Sequence, residues 1–368
     1  MPSTLTWLDT SAHDRRRALD VIDLFAVRDT VDQLGVGAIR DAWADRLAPG
    51  TSTVQTRARY FLFVPYIYRY VRRDNYHPQG AAQRAAKCER KLIEAISVGD
   101  PDGVPIGARV GRNLKRLPSS IYWAGLGRLG IRLWQGSQSA FHRALPSLGP
   151  EAWHPHLPSW PEGFLESTTL ELELSEADFL RDQVRAHAPG TLIQALMDAE
   201  YDRVVVDYPW DHPLRGDFNA ELGRWIDHVE AFAVLMHGSA LLYNLMLAEQ
   251  LGDWSQLSGE ERVEHFGQEL ASWSGDVERW RTSGEDWARP EFWRLTREIN
   301  PRIPVHAQNF CEAWLDRVLA ARSPLDLVDD TMARELVAQR EVRLKRHRSR
   351  LRSREQLERW GAAPEPLA

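Results

Sequence analysis

The chain has 368 residues, 43% hydrophobic and 27% charged, with a formal net charge of -6. That length exceeds what one hydrophobic core usually supports, so two or three subdomains are expected, and the composition is that of a globular chain rather than a disordered or fibrous one. No run reaches the roughly 18 uninterrupted apolar residues of a membrane span, the N-terminus lacks the apolar stretch of a secretory signal, and Cys88 and Cys311 offer neither a disulfide framework nor a zinc spacing. The expectation is a cytoplasmic protein without membrane, metal or cofactor.

The net charge hides a polarity along the chain. Residues 1–150 carry 22 Lys and Arg against 13 Asp and Glu, a net +9; residues 151–339 carry 15 against 35, a net -20; residues 340–359 carry 9 against 3, a net +6. An acidic whole does not exclude nucleic acid, because binding answers to the field of one face or module. Two readings follow: a basic N-terminal module that meets a polyanion, or basic ends that pair with the acidic middle inside one fold. The only lysines are Lys87, Lys91, Lys115 and Lys345. Arginine's planar fork grips phosphate and carboxylate alike, and a GC-rich genome produces the same excess.

In chain order, DRRRALDVIDLF places Leu19, Ile22 and Phe25 at helical spacing. VGAIRDAWADRLAPG repeats the pattern with Ile39, Trp43 and Leu47 before Pro49-Gly50 stops it. Thr51 or Ser52 then caps a second predicted helix, with Val54, Ala58, Phe61 and Leu62 inward. Helix, tight turn and a helix with polar side chains near its N-terminal end is the arrangement by which a helix-turn-helix reaches DNA. Gln55 and Thr56 are the candidates for base edges there, and Arg57 and Arg59 for phosphates. The aromatic run Tyr60, Phe61, Phe63, Tyr66, Tyr68 and Tyr70 cannot collect on one helical face, and Pro65 is expected to kink or interrupt it. Most of these rings are expected in the core.

Residues 111–145 repeat the theme. Pro118 and Ser119 open a helix through Ile121, Tyr122, Leu126 and Leu129 to Gly130, and IRLWQGSQSAF reads as a strand and turn, the wing of a winged helix. Arg112, Lys115, Arg116, Arg128 and Arg132 flank it with charge that suits a phosphate backbone. Gly125, Gly127 and Gly130 spell G-x-G-x-x-G, but they follow a helix start rather than a strand, so the dinucleotide fingerprint fails. Residues 146–163 are Pro-rich and mark a boundary, where His154 and His156 form a close pair lacking a third metal ligand. LELELSEADFLRDQV changes from alternation to helix at Ser175. Residues 217–250 hold the longest helical pattern, whose FAVLMHGSALLYNLMLAE indicates a buried central helix. Its polar exceptions His237, Tyr243, Asn244 and Glu249 read as members of a satisfied hydrogen-bond network. In the tail, Arg343, Lys345 and Arg346 belong to a basic segment suited to nucleic acid, to an acidic partner, or to the chain's own acidic middle.

The predicted fold is therefore mainly α with few short strands. A basic module of helix-turn-helix or winged-helix character spans 1–148, a Pro-rich linker 149–163, an acidic helical domain 164–335 and a basic C-terminal arm 336–368. Several long blocks, among them WLDTSAHDRRRALDVIDLF, TSTVQTRARYFLFVPYIYR, RLPSSIYWAGLGRLGIR, MHGSALLYNLMLAE and RLKRHRSRLRSREQLERW, resemble a bacterial family of unknown function. The resemblance brings no catalytic residues, and it implies occurrence beside helicase and nuclease genes in anti-phage defence clusters. The expected function is a non-enzymatic DNA-binding or complex-assembling subunit of such a system, with duplex DNA and a helicase or nuclease as partners. The alternatives are an enzyme of unrecognised type or a purely structural scaffold. Against catalysis stand the missing P-loop, H-E-x-x-H and G-x-S-x-G motifs and the scarcity of lysine to complete a nuclease carboxylate cluster.

Overall fold

The structure, a computed structural model, describes residues 32–73, 80–108, 110–111, 114–199, 206–252, 259–283 and 287–361. The predicted helix at DRRRALDVIDLF lies outside them, as does Arg112. Among the described residues the fold is mainly helical, and the β-type pairing is one isolated antiparallel bridge between Arg132 and Trp153. Two compact units emerge: Ala44–Val204 form the body of the first, and Arg28–Trp43 with Val205–Ala368 the second. The predicted linker falls inside the first unit. Its Ala152, Trp153 and Leu157 are buried, because proline forces irregular backbone without preventing apolar side chains from packing.

Helix α1 (Gly37–Leu47) starts where Asp32 accepts the backbone N–H groups of Val36 and Gly37, each at 2.7 Å. The first unit is then organised by α2 (Tyr60–Arg73). Every residue from Tyr60 to Tyr68 is buried, which is why the rings need no single face: the helix is surrounded. Pro65 sits inside it, and the helix continues through to Arg73. Around it stand α3 (Ala81–Gly99), α4 (Pro118–Arg128), α5 (Gln138–Ala144), α6 (Leu174–His187) and α7 (Leu192–Asp198). Glu89 of α3, 1% exposed, accepts Ser119 N–H at 2.7 Å and Ser119 O–H at 2.8 Å, and so caps the start of α4 from a neighbouring helix. Helix α6 begins one residue before the predicted cap, and Glu173 with Glu176 closes a capping box there.

Two expectations are corrected. The second helix does not begin at Ser52: it begins at Tyr60, and residues 51–59 are irregular backbone with turns at 53–54 and 58–59. Besides bonds within itself, this segment hydrogen-bonds to α4, with Gln55 donating to Ile121 O at 3.2 Å and the Tyr122 hydroxyl bridging Arg57 N–H and Arg57 O at 3.2 and 2.7 Å. Its Thr51, Thr53, Val54 and Thr56 are weak helix formers, so the loss is small. The predicted wing is likewise no hairpin. Residues 131–134 reach the former linker, where Leu133 N–H donates to Ala152 O at 3.0 Å and His154 N–H to Ile131 O at 2.9 Å.

The second unit is built on α8 (Ala220–Leu251), capped by Asn219, with α9 (Gly259–Thr282) packed along it. Helices α10 (Arg289–Ile299), α11 (Val305–Ala320), α12 (Asp326–Asp329), α13 (Thr331–Lys345) and α14 (Arg354–Gly361) complete it. By length and hydropathy α8 could cross a membrane, but 72% of its most apolar stretch is buried inside the protein. Trp273 and Trp314 donate their indole N–H groups to Val234 O and Leu235 O at 2.7 and 2.9 Å, so the Trp-rich tract packs on α8 with its polar atoms satisfied. Of the polar exceptions on α8, Tyr243 is buried and donates to Glu341 at 3.3 Å, and Glu249 pairs with Arg334.

Residues 340–361 are an integral part of this unit rather than an arm. Arg340 donates to Leu34 O and Gly35 O at 2.7 and 3.1 Å, and Trp360 is buried beneath the Arg262 guanidinium. Glu341, fully buried, accepts from Tyr243, Ser349 and the Arg350 N–H, the last at 2.7 Å. A carboxylate with that many donors welds the basic segment to the core helix.

Candidate nucleic-acid interface

The sequence-predicted residues separate into three fates. Arg59 and Arg132 are interior. Arg59 is 3% exposed; its Nε lies 2.8 Å from Glu176 and its Nη1 donates to Thr169 O at 3.1 Å. Arg132 stacks 4.4 Å over Trp123 and is pinned to Trp134 O, and burial pushes its pKa down. Both are corrections to the predicted phosphate contacts, for a guanidinium closed in by carboxylates, carbonyls and rings has no face left for DNA. Gln55 is half-buried, its amide spent on Ser52 N–H and Ile121 O, so it too is withdrawn from base edges.

The second group is exposed in the first unit: Thr56, Arg57, Lys115 and Arg128, with Arg116 half-buried and its pKa lowered by burial. Thr56 and Arg57 lie on the 51–59 segment that runs along α4, and Gly50, at φ 78°, seats against Arg128 and Gly125 of that helix. Arg57 and Arg128 thus belong to one rim. The third group is in the second unit. Arg343 and Arg346 are exposed there, while Lys345 lies on the Tyr243 ring, 5.2 Å from its centroid, and donates to the Tyr243 hydroxyl at 3.2 Å.

Each unit holds both paired and unpaired cations, the first pairing Arg59 with Glu176, Arg181 with Asp178 and Arg185 with Asp198. In the second, Arg215 pairs with Asp227 and Glu230, Arg289 with Asp316, Arg294 with Glu298, Arg317 with Asp330, and Arg354 with Glu358. Others in that unit, among them Arg297, Arg322, Arg343, Arg346, Arg348 and Arg352, form no ion pair among the described residues. In the first unit Arg57, Arg72, Lys87, Lys91, Lys115 and Arg128 make no ion pair among the described residues.

Two concavities, each of about 670 Å³, flank the C-terminal end of α2. At 100° per residue Tyr68, Arg69 and Arg72 face one and Tyr70 the other. The first is walled by Phe141, Leu148, Trp153 and Trp160. The second lies along α3, where Arg84, Lys87 and Lys91 form a stripe beside Gln83 and Tyr70. Sequence reasoning missed that stripe, although the spacing of 84, 87 and 91 places all three on one helical face. The stripe runs about 10.5 Å along α3, close to three axial steps of about 3.4 Å between phosphates on one strand of a duplex.

The glycines and histidines weighed from sequence are structural. Gly125 lets the Gly50 carbonyl and Phe61 approach α4, and Gly130, at φ 67°, ends that helix against His187. His154 accepts the His156 N–H at 3.2 Å, and no cluster of three or more metal-ligating side chains occurs among the described residues. No curated protein and no solved structure matches the chain. The family of unknown function DUF6361 does match, over residues 2–366, nearly the whole length, and the chain belongs to that family.

Proposed function

We propose that the chain is a non-enzymatic, nucleic-acid-binding subunit of a bacterial anti-phage defence complex, holding duplex DNA by its phosphate backbone beside a helicase or nuclease. The observation that carries this reading is the unmatched positive charge of the first unit, above all the Lys87–Lys91 stripe on α3. Exposed cations on one helix face that meet no carboxylate present a local field suited to a polyanion, whatever the net charge of the chain. The exposed rim of Arg57 and Arg128 adds phosphate contacts. In this reading α4 is the helix that lies along the backbone.

The test is fluorescence anisotropy of a labelled duplex across a salt series. Lys87→Ala with Lys91→Ala is expected to reduce the slope of log K against log salt by about two, one per lost phosphate contact, while the melting temperature stays within error because both side chains are exposed. Undetectable wild-type binding at about 50 mM salt, or an unchanged slope, refutes the reading.

A further inference from the structure

The first concavity has a different chemistry from the lysine stripe. Its volume of about 670 Å³ is that of a small-molecule site. Its floor is aromatic: Tyr68 and Trp153 stack with centroids 5.9 Å apart, and Phe141 meets both edge-on. The Tyr68 hydroxyl is spent, accepting from Gln138 at 2.9 Å and bonded to His142 at 2.7 Å. At the rim Trp160 is half-buried, with the Arg69 guanidinium 5.4 Å from its ring centroid. Arg72, one turn along α2, is exposed, and neither arginine forms an ion pair among the described residues. Gly149, on the wall, donates its N–H to the Glu151 carboxylate at 2.8 Å.

Two unmatched guanidinium groups beside aromatic plates select a ligand with an anion at one end and a flat ring at the other. Inorganic phosphate would leave the plates unused, and an apolar ligand would leave both cations unpaired. We infer that this cavity binds a nucleoside phosphate, its base stacked on Trp160 and its phosphate on Arg69 and Arg72. The source is either a free nucleotide or the unpaired end of a strand. The cavity shares no lining side chain with the Lys87–Lys91 stripe, so this inference and the duplex reading fail separately.

The experiment titrates a fluorescent aminopurine nucleoside monophosphate into the full chain. Saturable quenching is expected as the base stacks, and Trp160→Ala is expected to weaken it by roughly 5- to 150-fold. Arg72→Ala, at an exposed position, is expected to raise the Kd of the monophosphate by about tenfold and leave the unphosphorylated nucleoside unaffected, with partial rescue by Arg72→Lys. Displacement by AMP assigns the free nucleotide; displacement only by a short single strand bearing a terminal phosphate assigns the strand end. Quenching that does not saturate by about 10 mM, or that survives both substitutions undiminished, overturns the inference. Retention of duplex binding by the Trp160→Ala protein is expected in either case.

Discussion

Arg59→Met measures whether the first unit spends its central arginine on the core or on a ligand. The guanidinium and the Glu176 carboxylate are 3% and 2% exposed and 2.8 Å apart. At an effective dielectric near 20 their gross attraction is roughly 6 kcal/mol, and desolvation of both ions cancels much of it. The cost of the substitution is set by what remains behind: Glu176 stays buried, with Tyr66 donating at 3.3 Å as its side-chain donor outside the capping box. Stranding a buried charge in this way costs about 3 to 5 kcal/mol. For a unit of this size that lowers the melting temperature by roughly 6 to 20 °C. Urea titration followed by circular dichroism and tryptophan fluorescence reads the loss, which is expected in the transition of the first unit and not of the second. Arg59→Met with Glu176→Met removes both charges and is expected to recover at least about 2 kcal/mol relative to the sum of the single changes. A single-mutant loss under about 1 kcal/mol with additive behaviour is the signature of a solvent-exposed pair, and it would return Arg59 to the surface and to phosphate.

His228 in the second unit accepts the Trp287 indole N–H on Nδ1 at 3.1 Å, and burial, opposed by Glu291, holds its pKa below the usual value. The native state therefore binds fewer protons than the unfolded chain between that lowered pKa and about 6.5, so this contribution is whole above about pH 6.5 and falls as pH drops, by at most about 1.4 kcal/mol per unit. His228→Asn is expected to flatten the pH dependence of unfolding between about pH 5 and 7, and an unchanged slope refutes the assignment. Deleting residues 346–368 removes the Ser349 and Arg350 donors from buried Glu341 along with the buried Trp360. The second unit is expected to lose at least about 3 kcal/mol by urea titration while duplex affinity is unchanged; a loss of affinity without destabilisation would instead make this segment an arm.

What the sequence made legible was set by how local the cause is. The apolar run of α8 identifies its own burial, because a helix apolar on all sides has nowhere to go but the interior. The rings of α2 do the same through the opposite argument, since their spacing fits no single face and the helix is buried all round. The Pro49-Gly50 turn is also local chemistry, with Gly50 in the left-handed region at φ 78°. The second helix was misplaced because the hydrogen bonds that decide residues 51–59 run to Ile121 and Tyr122, more than sixty positions away.

The same separation governs the charges. Arg59 and Lys87 carry the same sign and stand in comparably polar stretches, yet one is enclosed by Glu176, 117 positions further on, and the other faces no carboxylate among the described residues. Residue type cannot distinguish these cases, since pairing depends on which distant carboxylate the fold delivers. What sequence does offer is periodicity: three cations on one face of a helix whose opposite face is apolar cannot all be buried. A charged stripe at helical spacing is thus a better indicator of an external partner than a high density of arginine, and in this chain it points to the 84–91 face of α3 rather than to Arg57 and Arg59 ahead of α2.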